Sequence, residues 1–380
     1  MAATGPLAGV RVLDLTDETA IYGAKLLADL GALVLRPEPS GGDPLRQRGP
    51  FDGETSLWYA FFTTNRHFVE VDDTGRLADI ASRSDIVLVS RDGLMVSALD
   101  LAKLQEENED LIIIRTTPFG TEGPWNDFLA PDLVAGALGG LVATTGVPET
   151  PPLKCFGELN FMVSGTYAAI AALSALFRRQ QDGLGQTADV SVHESIASCL
   201  EQVLMFYWYH ETLNRDPVLP RRGAVHWSNA YVVFPAKDGG IMVTPAPDFD
   251  RQLVWLIEED VAEDLIDPKY NEPEHLAERI AKTMDIMRRW VATKSAESLF
   301  FEAQSRHAPY GWVIPFARLP ENPQLEARQW FEQYHVGDSE VRGPGTPYVF
   351  SKTPWSVNPV GAKAAPVADV LAEIGWESQS

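Results

Sequence analysis

Cysteine is scarce in this sequence: Cys155 and Cys199 are the only two among 380 residues. Neither lies in a CxxC pair or at a Cys/His spacing that binds zinc, so the sequence predicts neither a disulfide-stabilised fold nor a metal site. A free cysteine outside a reactive motif is most often a small apolar side chain inside the protein. We therefore predict that both cysteines are buried and that the protein binds no metal.

Positive charge is also scarce, with 31 Lys and Arg against 53 Asp and Glu and a net charge of −22. Binding to nucleic acid gains its free energy from clustered Lys and Arg, which release counterions. The excess of acid therefore argues against a nucleic-acid surface. It also predicts that any polyanionic ligand depends on local basic residues or on helix N-termini.

Long apolar runs are also scarce, and we predict that no stretch reaches the roughly 18 to 20 residues that a membrane-spanning helix needs. The first residues, MAATGPLAGVRVLDL, lack the basic and apolar regions of a signal peptide. These absences predict a protein without a membrane segment, located in the cytoplasm. The apolar share of 45% is nevertheless enough for a sizeable core.

What the sequence does contain is a repeated alternation of short apolar runs and helical segments. The runs are VRVLDLT, LVLRPE, SDIVLVS, LIIIRTT and TADVSV. Parallel strands need a crossover between them, and strands that are buried on both faces are apolar throughout. The sequence therefore predicts an α/β fold, with a Rossmann-like large domain and a parallel sheet over residues 1–224.

The pattern changes after residue 224. The segment HWSNAYVVFPAKDGGIMVTPA predicts a hairpin around Asp238, Gly239 and Gly240, and acidic helical segments follow it to about Ser305. We predict a smaller α+β domain over residues 225–320. Residues 321–380 then form a return segment that completes the large domain and includes the short helix VADVLAEIGW.

The stretch CFGELNFMVSGTYAAIAAL, from Cys155 to Leu173, leads from a proline-rich loop into a helix predicted from about Thr166 to Gln181. A helix N-terminus presents unpaired N–H groups and a partial positive charge, which favour a carboxylate or a thioester oxygen. The only acid at this turn is Glu158. It is either a reactive carboxylate or a loop side chain stabilised by the helix dipole.

Several segments together resemble the family III CoA-transferases, the group that includes formyl-CoA transferase, carnitine CoA-transferase and α-methylacyl-CoA racemase. The matching segments run in the family's order and are PLAGVRVLDLT, LLADLGALVLRPEPSGGDPLR, NRHFVEVD, PFGTEGPW, GGLVATTG, GLGQTADVSVHES, KDGGIMV and PYGWVIPFARLPENPQLEAR. The resemblance implies the family III fold, a dimer of two interlocked chains, and coenzyme A thioesters as substrates, with no tightly bound cofactor.

The resemblance also implies where the chemistry is expected. In the transferases an Asp attacks the acyl-CoA thioester, giving an aspartyl anhydride and then an aspartyl-CoA thioester. That Asp stands four residues before a glycine that matches Gly165, and the corresponding residue here is Phe161. The racemases add a His, whose position is Pro131. Both groups are therefore missing, although Asp132 matches an acidic position beside the site.

Positions that resemble coenzyme A contacts are changed as well. Thr19 stands where the family has a Gln, Pro39 where many members have a basic residue, and Ser90 and Ala98 replace an Asn and an Arg. The stretch NRHFVEVD matches one that ends near the nucleotide of coenzyme A. The candidate coenzyme A contacts are Thr19, Arg66, His67 and Val71. The lost polar groups predict weak binding of coenzyme A.

We therefore expect a chain that keeps the family fold without the nucleophile. Some family enzymes, such as succinyl-CoA:benzylsuccinate CoA-transferase, pair a subunit that has the Asp with a homologous one that lacks it. The resemblance then implies a catalytically silent subunit that shapes its partner's pocket, with acyl-CoA and a carboxylic acid as substrates. Glu158 and Asp132 are the remaining candidate catalytic carboxylates. Two alternatives stay open: an active homodimer that uses Glu158, and a non-enzymatic binding or regulatory protein on the same fold.

Overall fold

The computed structural model describes residues 5–147, 149–214, 231–244, 249–336, 339–357 and 363–376, and strands alternate with helices through the first half of the chain. The strands are β1 (Arg11–Leu15), β2 (Leu33–Glu38), β3 (Phe51–Asp52), β4 (Thr55–Ser56), β5 (Arg66–Glu70), β6 (Ile86–Ser90), β7 (Ile112–Thr117), β8 (Thr187–Ser191), β9 (Val232–Ala236), β10 (Gly239–Val243), β11 (Gly311–Val313), β12 (Phe331–Val336), β13 (Ser339–Pro344) and β14 (Ala365–Pro366). The helices are α1 (Ile21–Asp29), α2 (Leu57–Phe62), α3 (Thr74–Ser82), α4 (Leu101–Glu107), α5 (Asp132–Leu138), α6 (Leu141–Thr144), α7 (Leu159–Asp182), α8 (Val192–Ala197), α9 (Glu201–Trp208), α10 (Phe249–Glu258), α11 (Leu276–Val291), α12 (Ala296–Ser305), α13 (Pro323–Ala327) and α14 (Val367–Ile374).

The chain divides into two compact units. The larger unit contains Met1–Leu141, Lys154–Cys199 and Gln324–Ser380, and the smaller unit contains Val142–Leu153 and Leu200–Pro323. The predicted boundary between residues 224 and 225 falls within 215–230, outside the described residues. The bounds 1–224, 225–320 and 321–380 therefore stay predictions.

The larger unit is built on a seven-stranded parallel sheet with the strand order β14-β5-β2-β1-β6-β7-β8. Its central strands are apolar because they are buried on both faces, and all five residues of β6 are buried. Ile86 and Leu88 enter the core cluster on one face, whereas Val87 and Val89 enter the cluster on the other. The predicted α/β fold with a parallel sheet is confirmed.

Helix α7 packs against α1 and the strands β7 and β8 through a row of small residues. The buried members of this row are Ala168, Ala169, Ala172 and Ala175. By its length and composition α7 is also apolar enough to cross a membrane, and 50% of its most apolar window is buried inside the protein. The prediction that no stretch reaches this length is therefore wrong. The buried alanines make α7 a core helix of the larger unit.

Helices α1 and α7 cross at two glycines. A Cβ atom on Gly23 would lie 2.5 Å from the carbonyl oxygen of Gly165, and a Cβ atom on Gly165 would lie 2.8 Å from the nitrogen of Gly23. Because real Cβ atoms do not come this close to backbone atoms, only glycine permits the crossing. The contact fixes the first turns of α7 against the helix that follows β1.

The smaller unit contains the antiparallel sheet β11-β10-β9. Strands β9 and β10 form the predicted hairpin, and Lys237 and Asp238 lie between them. Trp255 occupies the core of this unit, where its ring centroid lies 4.9 Å from that of Trp290 and 5.7 Å from that of Tyr310. Trp255 lies in α10, Trp290 in α11 and Tyr310 immediately before β11, so these rings join the two helices to the sheet.

The last part of the chain completes the sheet of the larger unit. Strand β14 is parallel to β5, with Ala365 opposite Val69, and it forms the edge of the sheet. Helix α14 follows directly, and Val370, Leu371 and Trp376 are buried in the core cluster on that face. The edge strand therefore comes from a segment far along the chain from its neighbour.

The two cysteines are not where the sequence predicts them. Cys155 and Cys199 are both free and exposed. Cys155 lies in the loop before α7, and Cys199 lies in a short 3-10 turn, Ser198–Leu200, between α8 and α9. The prediction of burial is wrong because both residues lie at the ends of helices, where the chain passes over the surface.

Candidate functional site

The carboxyl ends of β1 and β6 meet where the strand order reverses, since β2 lies on one side of β1 and β6 on the other. Such a point is the usual ligand site of an open α/β sheet. The Thr19 hydroxyl donates to the Ser90 hydroxyl over 3.0 Å, and Ser164 of α7 donates to the Thr19 carbonyl over 2.6 Å. Two positions that resemble coenzyme A contacts, Thr19 and Ser90, therefore lie together and beside α7.

Phe161 lies in the first turn of α7. Its side chain is 4% exposed and belongs to an apolar cluster with Ala130, Ala135, Val192 and Ile196. A phenyl ring has no oxygen that could attack a thioester or form an anhydride. An apolar side chain packed inside the larger unit thus occupies the position that resembles the nucleophilic Asp.

Asp132 begins α5, but its side chain caps a different helix, α7. Its Oδ1 accepts the Phe161 amide N–H over 3.2 Å, and its Oδ2 accepts the Asn160 amide and the Lys154 ammonium, each over 2.9 Å. Phe161 is the third residue of α7, where backbone N–H groups have no partner within the helix. Asp132 supplies that partner, and its negative charge is favourable at a helix N-terminus. Both oxygens of this buried carboxylate are therefore occupied.

Glu158 immediately precedes α7, yet its side chain does not cap the helix. One of its oxygens accepts from the Arg48 guanidinium, and the other accepts the Trp58 indole N–H over 3.0 Å. The guanidinium also lies over the Trp58 ring, 4.3 Å from its centroid. Glu18 lies 4.0 Å from Arg48, and burial raises the pKa of Glu18, as do the charges of Asp17 and Glu158. Both Glu158 oxygens thus have donors on other elements.

Arg66 lies inside a buried network of charges. Its Nε is 2.9 Å from the Asp14 carboxylate, which also lies 3.0 Å from Arg36, and Arg36 in turn lies 2.7 Å from Asp43. The other Arg66 nitrogens donate to two backbone carbonyls. Burial alone would raise the pKa of Asp14, but Arg36 and Arg66 together lower it. The Arg66 guanidinium is thus engaged within the protein, and its contact with coenzyme A stays a prediction.

The other candidate contacts lie on β5 and just after it, and β2 separates β5 from β1. His67 is half-buried, and burial lowers the pKa of its imidazole. Val71 is 2% exposed and packs in the core. Pro39 lines a cavity of about 470 Å³ together with Glu38, Ser40, Arg46, Glu70 and Lys363. The structure therefore does not bring His67 and Val71 to the strand end that carries Thr19, and their roles stay predictions.

Within the ranges that the structure describes, no three His, Cys, Asp or Glu side chains gather where a metal ion could be held.

Sequence reasoning missed three residues of this site: Arg48, Lys154 and Asn160. Arg48 lies 110 positions from Glu158, so no local pattern links them. Lys154 and Asn160 stand close to Glu158 in the sequence, but their shared partner, Asp132, lies in another segment. The one signal in the sequence is Asp132 itself. It matches an acidic position of the family although Pro131 and Phe161 differ from it, which indicates that its carboxylate has hydrogen-bond donors in other segments of the chain.

Comparison with known proteins identifies the family. The model of CoA-transferase family III matches residues 7–366. Succinyl-CoA–D-citramalate CoA-transferase of Chloroflexus aurantiacus is 29% identical over 373 residues, which cover 94% of this chain and 90% of that protein. Succinyl-CoA:(R)-benzylsuccinate CoA-transferase subunit BbsE of Thauera aromatica is 27% identical over 399 residues, which cover 96% of this chain and 93% of that subunit.

A solved structure shares the fold. The crystal structure of a CAIB/BAIF family protein from Brucella suis matches with a TM-score of 0.81 at 23% identity, covering 98% of this chain and 100% of that one. The family match extends over both compact units and over the segments that carry the resemblance. The chain therefore belongs to CoA-transferase family III.

Proposed function

We propose that this chain is a subunit of an enzyme that moves coenzyme A between carboxylic acids, and that it does not supply the nucleophile. The observation that carries the proposal is the burial of Phe161 at the position that resembles the nucleophilic Asp. Covalent transfer through an anhydride needs a carboxylate oxygen, and this chain offers none at that position.

Neither neighbouring carboxylate is free to take over the role. Asp132 accepts from Phe161, Asn160 and Lys154, and Glu158 accepts from Arg48 and Trp58. A charge-assisted hydrogen bond stabilises the oxygen that accepts it by about 1.5 to 3 kcal/mol. An attack on a thioester by the buried Asp132 would have to break such bonds, and Glu158 would first have to leave Arg48 and Trp58, so neither carboxylate is placed to attack in this arrangement.

A partner subunit that carries the Asp would complete the enzyme. The relative BbsE is, by its name, one subunit of its transferase. Large apolar side chains are exposed on α5, in the loop before α7 and along α7, namely Leu133, Leu138, Phe156, Ile170 and Phe177. So much exposed apolar surface on neighbouring elements is typical of a protein that binds another. The proposed partner is a homologous family III chain, interlocked with this one.

The proposed substrates are an acyl-CoA and a carboxylic acid. The names of both relatives given above begin with succinyl-CoA, which supports a succinyl donor and a dicarboxylic acid acceptor here. Coenzyme A enters the reaction as part of a substrate and not as a resident cofactor. The proposed location remains the cytoplasm.

The two alternative functions differ in whether Glu158 must act as a nucleophile. An active homodimer would require Glu158 to leave Arg48 and Trp58 before it could attack a thioester. A non-enzymatic binding protein would require no nucleophile in any assembly. The partly exposed position of Glu158 immediately before α7 favours the homodimer over the binding protein as the second candidate.

Trapping of the acyl-enzyme distinguishes these functions. The chain is produced together with a homologous family III chain that has the Asp, and the complex is incubated with succinyl-CoA and hydroxylamine. Mass spectrometry is expected to locate the hydroxamate on the partner's Asp, and replacing that Asp by Ala is expected to lower transfer by orders of magnitude. A hydroxamate on Glu158 would establish the homodimer, and no transfer in any assembly would leave the binding protein.

A further inference from the structure

Arg48 and Trp58 already bind a carboxylate in this structure, that of Glu158. Arg48 donates to one Glu158 oxygen, and Trp58 Nε1 donates to the other over 3.0 Å. The guanidinium lies over the indole, 4.3 Å from the ring centroid. A planar fork of donors held on an aromatic ring matches the shape of a carboxylate and loses little freedom when it binds one.

The backbone segments that carry the two donors are joined independently of Glu158. The Arg48 amide donates to the Leu45 carbonyl over 3.2 Å, and the Arg48 carbonyl accepts from the Ser56 hydroxyl. The same Ser56 side chain caps α2, the helix that carries Trp58, by accepting from its third amide over 2.9 Å. One serine thus joins the backbone at Arg48 to the first turn of α2, so the segments that carry the two donors are held together by contacts that do not involve Glu158.

Glu158 is placed as a ligand that can be exchanged. Its side chain is 21% exposed, that of Arg48 is 32% exposed, and Glu158 does not serve as a helix cap. An ion pair with this exposure contributes little to the stability of a fold. Glu18 also faces the guanidinium at 4.0 Å, so Arg48 has two carboxylates of the chain itself as neighbours.

We propose that Arg48 and Trp58 form a recognition site for one carboxylate of a dicarboxylic acid, and that Glu158 fills this site in the free chain and leaves it when the acid binds. The identity of the ligand rests on the proposed function. A carboxylate whose oxygens accept from a guanidinium and an indole is a poor nucleophile, so the group at Arg48 is not the one that attacks the enzyme-bound coenzyme A thioester. An acid that reacts and is also held here therefore carries a second carboxylate.

Binding of succinate and butyrate, which have the same chain length but two and one carboxylates, tests the site. Calorimetry is carried out without coenzyme A on the full chain in the assembly in which it purifies, so no turnover is needed. Succinate is expected to bind more tightly than butyrate. Glu158→Gln is expected to tighten succinate binding by about 10- to 100-fold. The reason is that the Glu158 carboxylate competes with succinate: if it fills the site in about 90 to 99% of molecules, it lowers the apparent affinity by that factor.

The remaining variants separate recognition from stability. Arg48→Gln is expected to abolish the preference for succinate. Trp58→Phe, which keeps the ring without its N–H, is expected to weaken succinate binding about fivefold. The control Arg178→Gln removes an exposed ion pair with Asp182 at the other end of α7 and is expected to change nothing.

Damage to the fold would weaken binding in every variant. Tighter succinate binding by Glu158→Gln, together with loss of the preference for succinate over butyrate in Arg48→Gln, therefore supports recognition. Equal binding of succinate and butyrate by the Glu158→Gln chain would overturn the proposal. If these affinity changes are observed but the complex shows no acyl transfer, the proposed function is wrong and the carboxylate site stands.

Discussion

At the scale of single residues, Phe161 and Asp132 belong to one arrangement. The Asp132 carboxylate is balanced by Lys154 at 2.9 Å and by the amide of Phe161 at 3.2 Å. An acid at position 161 would set a second negative charge close to the first, and like charges in a buried site resist ionisation. An apolar side chain at position 161 therefore places no second negative charge beside the Asp132 carboxylate.

An acid introduced at position 161 is expected to destabilise the chain and not to create a nucleophile. Phe161→Asp removes a buried ring and inserts a carboxyl into the cluster of Ala135, Val192 and Ile196, at a cost of about 3 to 5 kcal/mol in the free energy of unfolding. Phe161→Leu, the matched apolar control, is expected to cost less than about 1.5 kcal/mol. Urea unfolding measures both changes. Acyl transfer by the Phe161→Asp chain alone, with a hydroxamate at position 161, would contradict this expectation.

Asp132→Ala is expected to lower the free energy of unfolding by about 2 to 3 kcal/mol, because it removes a cap and the carboxylate that accepts from the side chains of Lys154 and Asn160. Asp100 offers the comparison, since it caps α4 locally by accepting from the Lys103 amide over 3.1 Å. Asp100→Ala at this exposed cap is expected to cost about 1 kcal/mol. Thermal or urea unfolding compares the two. Equal costs would show that the contacts of Asp132 with the side chains add nothing to a cap.

His67 gives stability a dependence on pH. Burial lowers the pKa of its imidazole below the ordinary 6.5, although Glu373 opposes the shift. Below pH 6.5 the unfolded chain takes up a proton that the folded chain resists, so this contribution is complete above pH 6.5 and is lost as the pH falls through the folded pKa. Urea unfolding at pH 7 and pH 5 is expected to show a smaller loss of stability in His67→Gln than in the unchanged chain. An identical loss in both chains would rule out this role.

At the scale of elements, the crossing of α1 and α7 constrains the site through a close backbone contact. Gly23→Ala and Gly165→Ala each push the two backbones apart, and each is expected to cost about 1 to 3 kcal/mol. The double variant is expected to cost less than the sum, since one separation accommodates both methyl groups. Gly41→Ala, where an added Cβ meets no atom within 4 Å, is expected to change stability by less than about 0.5 kcal/mol. If the double variant costs as much as the two single variants together, Gly23 and Gly165 do not share one backbone contact.

Strands and helices differ in how far the sequence predicts them. Strands β6 and β7 are predictable because burial on both faces demands the apolar runs with which they begin, IVLV in β6 and III in β7. Helix α7 was predicted from about Thr166, yet it begins at Leu159. Its first turn depends on Asp132, which lies in another helix, so local propensity gives no sign of it.

The site is less predictable than the fold for the same reason. Thr19 and Ser90 are 71 positions apart and meet only through the order of the strands. Arg48 and Glu158 are 110 positions apart and meet only after α2 and α7 are in place. A pattern of neighbouring residues predicts elements, whereas these contacts arise when the elements pack.

At the scale of the whole molecule, the exposed apolar residues of α7 predict association. Ile170 and Phe177 are 51% and 66% exposed. Ile170→Glu is expected to weaken assembly by about tenfold or more, because a charge on the covered surface would lose its hydration. Gln181→Glu, an exposed substitution near the end of the same helix, is expected to leave assembly unchanged. Light scattering over a range of concentrations measures both, and a stable monomer at micromolar concentration would contradict the expected partnership.

The position of β14 also determines how long β5 stays without its second neighbour during synthesis. Its neighbour β5 is synthesised about 300 residues earlier, which at the usual 5 to 20 residues per second is about 15 to 60 s. During that interval β5 presents unpaired backbone groups at the border of a half-built sheet, a state prone to pairing with other strands. A homologous chain made nearby would meet this one while its border is still open, so threading of two chains through each other would need no unfolding of a finished subunit.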